Sequence, residues 1–388
     1  MSDSFIPLCV PEIRGNEWRY VKECLDTAWV SSVGSYVDRF EKMVAERAGT
    51  RFAVATVNGT SALHISLLIA GVKPDEEVLV STLTFIAPAN AIRYVGAWPV
   101  FIDAEPEYWQ MDVAKVADFL ENQCRWVGGE LRNQTTGRRV SAIVPVHVLG
   151  HPVDMAWLQA LAAKYGLRVI GDATESLGAT YQQKPVGQLA DLSCFSFNGN
   201  KILTTGGGGM IVTDNEEWAR RAKYLTTQAK DDPVEYIHHE IGYNHRLTNL
   251  QAAMGCAQME QLDDYIAAKR RIAARYIEAF AELDGLAPMR EAAWASSVFW
   301  MFTVLLDEAR YGLGWRALLA KLQERQIQTR PLWQPLHQSR AHAGSQSVGG
   351  EVAERLYATA LSLPCSVGLK PEDQERVIAT VRELSLRP

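Results

Sequence analysis

The sequence predicts an α/β protein with a large domain, in which a mostly parallel mixed sheet lies between helices, and a smaller C-terminal α/β domain. Two observations carry this expectation. Short apolar runs at 77–81, 99–102, 141–146, 168–171, 192–197 and 209–213 alternate with helix-favouring stretches. Such alternation implies parallel strands covered by helices on both faces. The second observation is a proline-free, helix-favouring run from Arg246 to about Leu283, which reads as one long helix joining the two domains. The boundary is expected inside that helix, giving a large domain over 1–255 and a small one over 256–388.

Composition narrows the function. The 388 residues carry a net charge of −6 with no basic footprint, which excludes nucleic acid and an anionic membrane surface as partners. No uninterrupted apolar run is long enough to span a bilayer, and the N-terminus lacks a basic segment followed by an apolar one. A cytoplasmic location is expected. Six cysteines lie far apart with no CxxC pair, as in a protein of reduced, mostly buried thiols. His147 and His151 have helical metal-ligand spacing, but a glycine stands between them and a proline follows, so a zinc helix is not expected.

Taken in order, residues 15–29 have helical apolar spacing and lead into VSSVGS, a small-polar loop that is either a connector or a substrate lid. A second amphipathic helix at 36–48 precedes a strand at 52–57. That strand runs through Asn58 and Gly59 into the apolar helix of NGTSALHISLLIAG. The first amides of a helix have no intrahelical acceptor, and the helix dipole adds positive charge there, so a strand, glycine turn and helix start can bind phosphate through Thr60 and Ser61. Asn58 or Thr60 acting only as a helix cap is the other reading. Phe85, just past a strand end, either covers a flat ligand or belongs to the core. Residues 123–140, with glycines and four arginines, read as a surface insertion bearing solvated charge.

Two further residues suggest covalent chemistry. Lys201 sits between an apolar strand and the run Gly206 to Gly209. It is either surface charge or a desolvated amine able to form a Schiff base. Asp172 ends the strand RVIGD, as a helix cap, an ion-pair partner, or a carboxylate that keeps a pyridine nitrogen protonated.

The motifs NGTSAL, TFIAPANA, GDATESLGA, SFNGNKILTTGGGG and GYNHRLTNLQAAMG, in this order along nearly the whole chain, resemble the DegT/DnrJ/EryC1/StrS family of sugar aminotransferases. The resemblance implies the fold type I of pyridoxal-phosphate-dependent transferases and makes Lys201 the Schiff-base lysine and Asp172 the partner of the pyridine nitrogen. It places Phe85 on the cofactor ring, and Thr60, Ser61 and the Ser196 hydroxyl at the phosphate. Asn244 is implied to reach that phosphate from a neighbouring subunit, which makes the protein a homodimer with composite sites. Glu175 stands where the family often has glutamine, near the ring's phenolic oxygen. Relatives that act as dehydratases carry histidine at the Schiff-base position, so lysine implies transamination.

The N-terminal segment 1–35, including Trp29, and TRPLWQPLHQ, with Arg330, Trp333 and His337, resemble substrate-facing regions of the family. WVSSVG, SFNGNK and LTTQAK resemble the subgroup acting on UDP-linked 4-keto-6-deoxy-N-acetylhexosamines. The expected reaction moves an amino group from an amino acid, glutamate in relatives, to the C4 ketone of that nucleotide sugar. The alternatives are a GDP- or dTDP-linked sugar, or a regulatory relative without turnover.

Overall fold

The computed structural model describes residues 4–232 and 234–385; positions 1–3 and 386–388, the ends of the expected domain ranges, and Pro233 lie outside the described residues. The main sheet has eight strands, in the order Phe52–Thr56, Gly209–Thr213, Leu192–Ser196, Arg168–Asp172, Val140–Val144, Glu77–Ser81, Trp98–Ile102 and Ser347–Val348. Every pairing from Leu192–Ser196 to Ser347–Val348 is parallel. Both pairings of Gly209–Thr213 are antiparallel.

Strands with sequences such as EVLVS and VSAIV are buried at every position, as a sheet covered on both faces requires. The helix Gly59–Ile69 shows no polar stripe and is buried over most of its length. A second, antiparallel sheet runs Leu286–Pro288, Phe302–Leu306, Ala360–Leu363, Arg330–Pro331 and forms the base of the C-terminal unit. The N-terminal segment joins that unit: Gln328 N–H donates to Ile6 O at 2.9 Å, and Cys365 N–H to Leu8 O at 2.8 Å. Among the described residues no helix is long and apolar enough to cross a membrane.

Two expectations change. The single long helix is two, Asn249–Met259 and Leu262–Phe280, with a turn at Glu260 and Gln261. No proline or glycine marks the break. Tertiary contacts impose it, since the Glu260 carboxylate accepts from Tyr20 and Arg39, both at 2.7 Å, and from Asn16 at 2.8 Å. Capping by Thr248 and Gln251 fixes where the first helix starts, in a reciprocal capping box.

The segment 123–140 is a hairpin, Cys124–Val127 with Glu130–Asn133, whose arginines are largely paired instead of free in solvent. Arg139 meets Glu76 at 3.0 Å, Arg138 meets Glu77 at 3.8 Å, and Arg132 meets Glu130. Its buried Asn133 donates to Glu77 at 2.8 Å and to Gln346 at 2.7 Å. The hairpin thereby straps down the edge strand Ser347–Val348.

Where the helices Ser35–Ala48 and Asn249–Met259 cross, a Cβ on Gly255 would come 2.7 Å from the Phe40 ring. Phe40 is fully buried and packs edge-on against Phe197, ring centroids 4.9 Å apart, so it has no room to retreat. Gly255→Ala gains about 1 kcal/mol in helix propensity but costs about 1–3 kcal/mol in overpacking. The expected outcome is a net loss, read as a lower thermal midpoint; a raised midpoint would show that the crossing can open.

Candidate active site

The parallel strands bring their carboxyl ends to one edge of the sheet, where ligands of open α/β sheets bind. Asp172 is the last residue of its strand and lies opposite Cys194, two residues before Ser196 at the end of the next. Gly209 pairs with both Thr56 and Ser196, which brings the turn after Thr56 to the same edge. Here a cavity of about 350 Å³ gathers Thr60, Phe85, Asp172, Glu175, Ser196 and Lys201, with Trp300 and Trp333 from the C-terminal unit.

Lys201 follows a tight turn in which its N–H donates to Asn198 O at 3.0 Å. Its Nζ lies 3.7 Å from Glu175 Oε1 and 3.9 Å from the centroid of the Trp300 ring. An ammonium between a carboxylate and an aromatic face is favourable on both sides. Trp300 is fixed in turn, its Nε1–H donating to Asn200 O at 2.6 Å, and it stacks on Trp333 with the planes 9° apart.

The carboxyls are buried. Asp172 accepts from Thr174 N–H at 3.1 Å, and burial raises its pKa against the pull of Thr174 and the Lys201 charge. Glu175 accepts from Leu149 N–H at 2.8 Å. Burial pushes it up to about 7, although Lys201 and the Leu149 amide oppose the shift. Leu149 takes a left-handed conformation, φ 60°, in the turn that carries this amide.

The helix Gly59–Ile69 points its N-terminus into the cavity. The Asn58 side chain accepts from Ser61 N–H at 2.8 Å, leaving Gly59 and Thr60 with amides that have no intrahelical acceptor. Gly59 is needed because a Cβ there would meet Ser196 Cβ at 2.9 Å and Thr174 Cγ2 at 3.1 Å. The result is a close cradle of two amides and the Ser196 hydroxyl, each able to donate to an anion. The capping and phosphate-binding readings of this turn are therefore compatible.

The other expected residues take less central places. Ser61 gives its amide to the cap and does not line this cavity. Phe85 stands at the rim with 56% of its surface exposed. Arg330 lines an adjoining space of about 280 Å³ that shares Asn200, Trp300 and Trp333 with the first. His337 is held between Thr82 Oγ1 at 2.8 Å and Glu354 Oε1 at 3.0 Å, outside both spaces. Trp29 is exposed, and its carbonyl accepts from Asn249 at 2.7 Å. Asn244 is exposed and its backbone bridges Thr227, away from its own chain's cavity. The His147 ring accepts from Val153 N–H and the His151 ring from Ala292 N–H; among the described residues no cluster suited to a metal forms.

Trp300, Asn200 and Thr174 did not stand out in the sequence. Trp300 lies in SSVFWMF, which reads as a core strand, and only folding brings it under Lys201.

A mostly parallel sheet with a lysine, two buried carboxyls and an open helix start at its carboxyl edge is an arrangement suited to a pyridoxal-phosphate-dependent enzyme. The sequence pattern of the DegT/DnrJ/EryC1/StrS aminotransferase family matches residues 11–382. The chain is 38% identical over 382 residues to the GDP-perosamine synthase of Caulobacter vibrioides, covering 98% of each chain. It is 37% identical to the GDP-perosamine synthase of Escherichia coli O157:H7, again covering 98% of each. The crystal structure of DesI in the presence of its TDP-sugar product superposes with a TM-score of 0.87 at 29% identity, covering 99% of this chain and 93% of that one. The protein belongs to the DegT/DnrJ/EryC1/StrS family of sugar aminotransferases and is a pyridoxal-phosphate-dependent transaminase.

Glu175 binds a proton in the folded cofactor-free protein that the unfolded chain has already released between its ordinary pKa of 4.5 and about 7. Its contribution to stability is therefore lost progressively as pH rises through that window. Glu175→Gln removes this component. Urea unfolding on either side of the window is expected to show the variant gaining on the parent at the higher pH; parallel curves would place the Glu175 pKa near its usual value.

Proposed function

We propose that this transaminase carries an amino group from L-glutamate to the C4 ketone of a 4-keto-6-deoxy sugar linked to a nucleoside diphosphate, with GDP as the carrier. The observation that carries the proposal is the convergence of Lys201, Asp172 and the Gly59–Thr60 helix start on one cavity. The two relatives named for GDP-perosamine support the carrier. UDP remains a second reading, supported by the motifs WVSSVG, SFNGNK and LTTQAK.

The donor set fits pyridoxal phosphate. When bound, the cofactor supplies an aldehyde that takes up amines reversibly and a ring that accepts the electron pair left when a proton leaves the substrate carbon. The Gly59 and Thr60 amides and Ser196 Oγ would hold its phosphate, and Phe85 would cover the ring. Asp172 would hold a proton on the ring nitrogen; a cationic partner lowers the pKa that burial has raised. Lys201 Nζ is the cavity's amine and its mobile base, taking the proton from the α-carbon of glutamate and, in the second half, returning one to C4 of the sugar. Glu175, 3.7 Å away, orients that amine and can share its proton.

The acceptor would enter past Trp333 toward Arg330, whose guanidinium suits a diphosphate. Asn244 would complete the phosphate site of a second copy. Its exposure, and the apolar surface of the same segment, with Val234 and Ile241 each 82% exposed, support pairing of two chains.

Lys201→Ala is expected to keep the cofactor dialysable but bound, with its absorbance no longer that of a lysine adduct, and to lose turnover. Full activity would remove the lysine from the mechanism. Asp172→Asn should lose roughly 100-fold or more in rate, the lower range for a positioned proton-holding group; a near-normal rate would assign that proton to another acid. A panel of GDP-, UDP- and dTDP-4-keto-6-deoxy sugars with nitrogen-labelled glutamate tests the carrier. Label in the GDP product is expected, and label confined to the UDP product would reverse the assignment.

A further inference from the structure

Behind Trp300 lies a cluster that the transamination chemistry does not use. Lys269, 2% exposed, sits in register with Tyr265, Ile272 and Tyr276 on the buried face of its helix. Its Nζ lies 2.8 Å from Trp300 O, 3.5 Å from Cys9 Sγ and 3.6 Å from Cys365 Sγ. Among the described residues no carboxylate comes within ion-pair distance of it. A buried ammonium needs an anionic partner, and the groups around it offer only sulfur for that part.

The two sulfurs are brought together by the backbone. Cys365 N–H donates to Leu8 O at 2.8 Å, and Val10 N–H donates to Ser366 Oγ at 3.0 Å, so the segments flanking Cys9 and Cys365 lie side by side. Cys9 is half-buried and lines the 280 Å³ space beside the active cavity, whereas the other five cysteines are buried. The Cys365 S–H, reinforced by the Lys269 charge, holds the Cys9 thiol down to about 5 despite burial. The same contact pushes Cys365 well up.

The cluster also touches the active site. Cys9 Sγ lies 3.4 Å from Asn200 O, the carbonyl that receives Trp300 Nε1–H, and Asn200 immediately precedes Lys201. Lys269 grips the main chain of the same Trp300 whose ring lies against Lys201.

We propose that Cys9 and Cys365 form a reactive dithiol that a hydroperoxide oxidises to a disulfide, and that this modification lowers aminotransferase activity by removing the anionic partner of Lys269. The Cys9 thiolate attacks the peroxide, the O–O bond breaks, and hydroxide leaves as Cys9 becomes a sulfenic acid. Cys365 then attacks the Cys9 sulfur; the S–S bond forms, the S–O bond breaks and water leaves. Two thiols supply the two electrons that the peroxide takes up. Lys269, left with neutral sulfur, no longer fixes Trp300 and Asn200 as before.

The holoenzyme is exposed to hydrogen peroxide, quenched with an alkylating agent, digested and mapped by mass spectrometry. A Cys9–Cys365 cross-link is expected to form ahead of any change at Cys24, Cys124, Cys194 or Cys256. Amino transfer should fall in step with it, and dithiothreitol should restore both. Cys365→Ser should leave Cys9 as a sulfenic acid trapped by dimedone. Alkylation of Cys9 and Cys365 as free thiols, or Cys9 passing to sulfinic acid without a cross-link, would overturn the dithiol. Full activity with the cross-link in place would overturn its coupling to the site. The map of the unmodified enzyme decides the first point even where a cysteine variant fails to fold.

Discussion

The placement of Lys201 Nζ between the Glu175 carboxylate and the Trp300 ring is the contact on which the rest of the site depends. Two carboxyls, Asp172 and Glu175, are buried near this one ammonium; burial raises the pKa of both, and the Lys201 charge opposes the shift. Lys201 lowers the cost of keeping them there. The three groups come from separate parts of the chain: a strand end, the turn after it and the loop beyond the next strand. The parallel register holds them together, since Cys194 opposite Asp172 fixes how far Ser196 and Lys201 extend past the sheet.

The C-terminal unit supplies the site's walls. Trp300 and Trp333 face the cavity, and Lys269 and the N-terminal segment brace Trp300 from behind. The large sheet contributes Lys201, Asp172, Glu175 and the Gly59–Thr60 helix start, while the second unit closes the cavity with Trp300 and Trp333. This division also explains why the space lined by Arg330 adjoins the Lys201 cavity and shares its tryptophans.

The sequence made the sheet legible because its strands are continuous apolar runs; Asp172 and the Asn58–Thr60 turn stood out at strand ends, whereas Ser196 was singled out only by the resemblance to the family. Ser61 was harder to assign, because the same amide serves either a cap or an anion and only the Asn58 rotamer decides between them. The helix break at Glu260 has no local signal. It answers to Asn16, Tyr20 and Arg39, more than two hundred residues earlier. Trp300 was hidden because a tryptophan in an apolar run reads as core. Lys269 did leave a trace, as a lysine on the apolar face of its helix, but nothing local says which groups would meet it.

The edge strand Ser347–Val348 has a consequence for how the chain comes to be folded. It pairs with Trp98–Ile102, which leaves the ribosome some two hundred and fifty residues sooner, and the hairpin strap at Asn133 grips Gln346 just before it. Before Ser347–Val348 pairs with it, Trp98–Ile102 presents an uncovered edge with apolar side chains on both faces. An unfinished sheet of that kind is a template for other nascent chains. Because the covering strand comes from so much later in the chain, that edge stays open to such pairing until Ser347–Val348 docks.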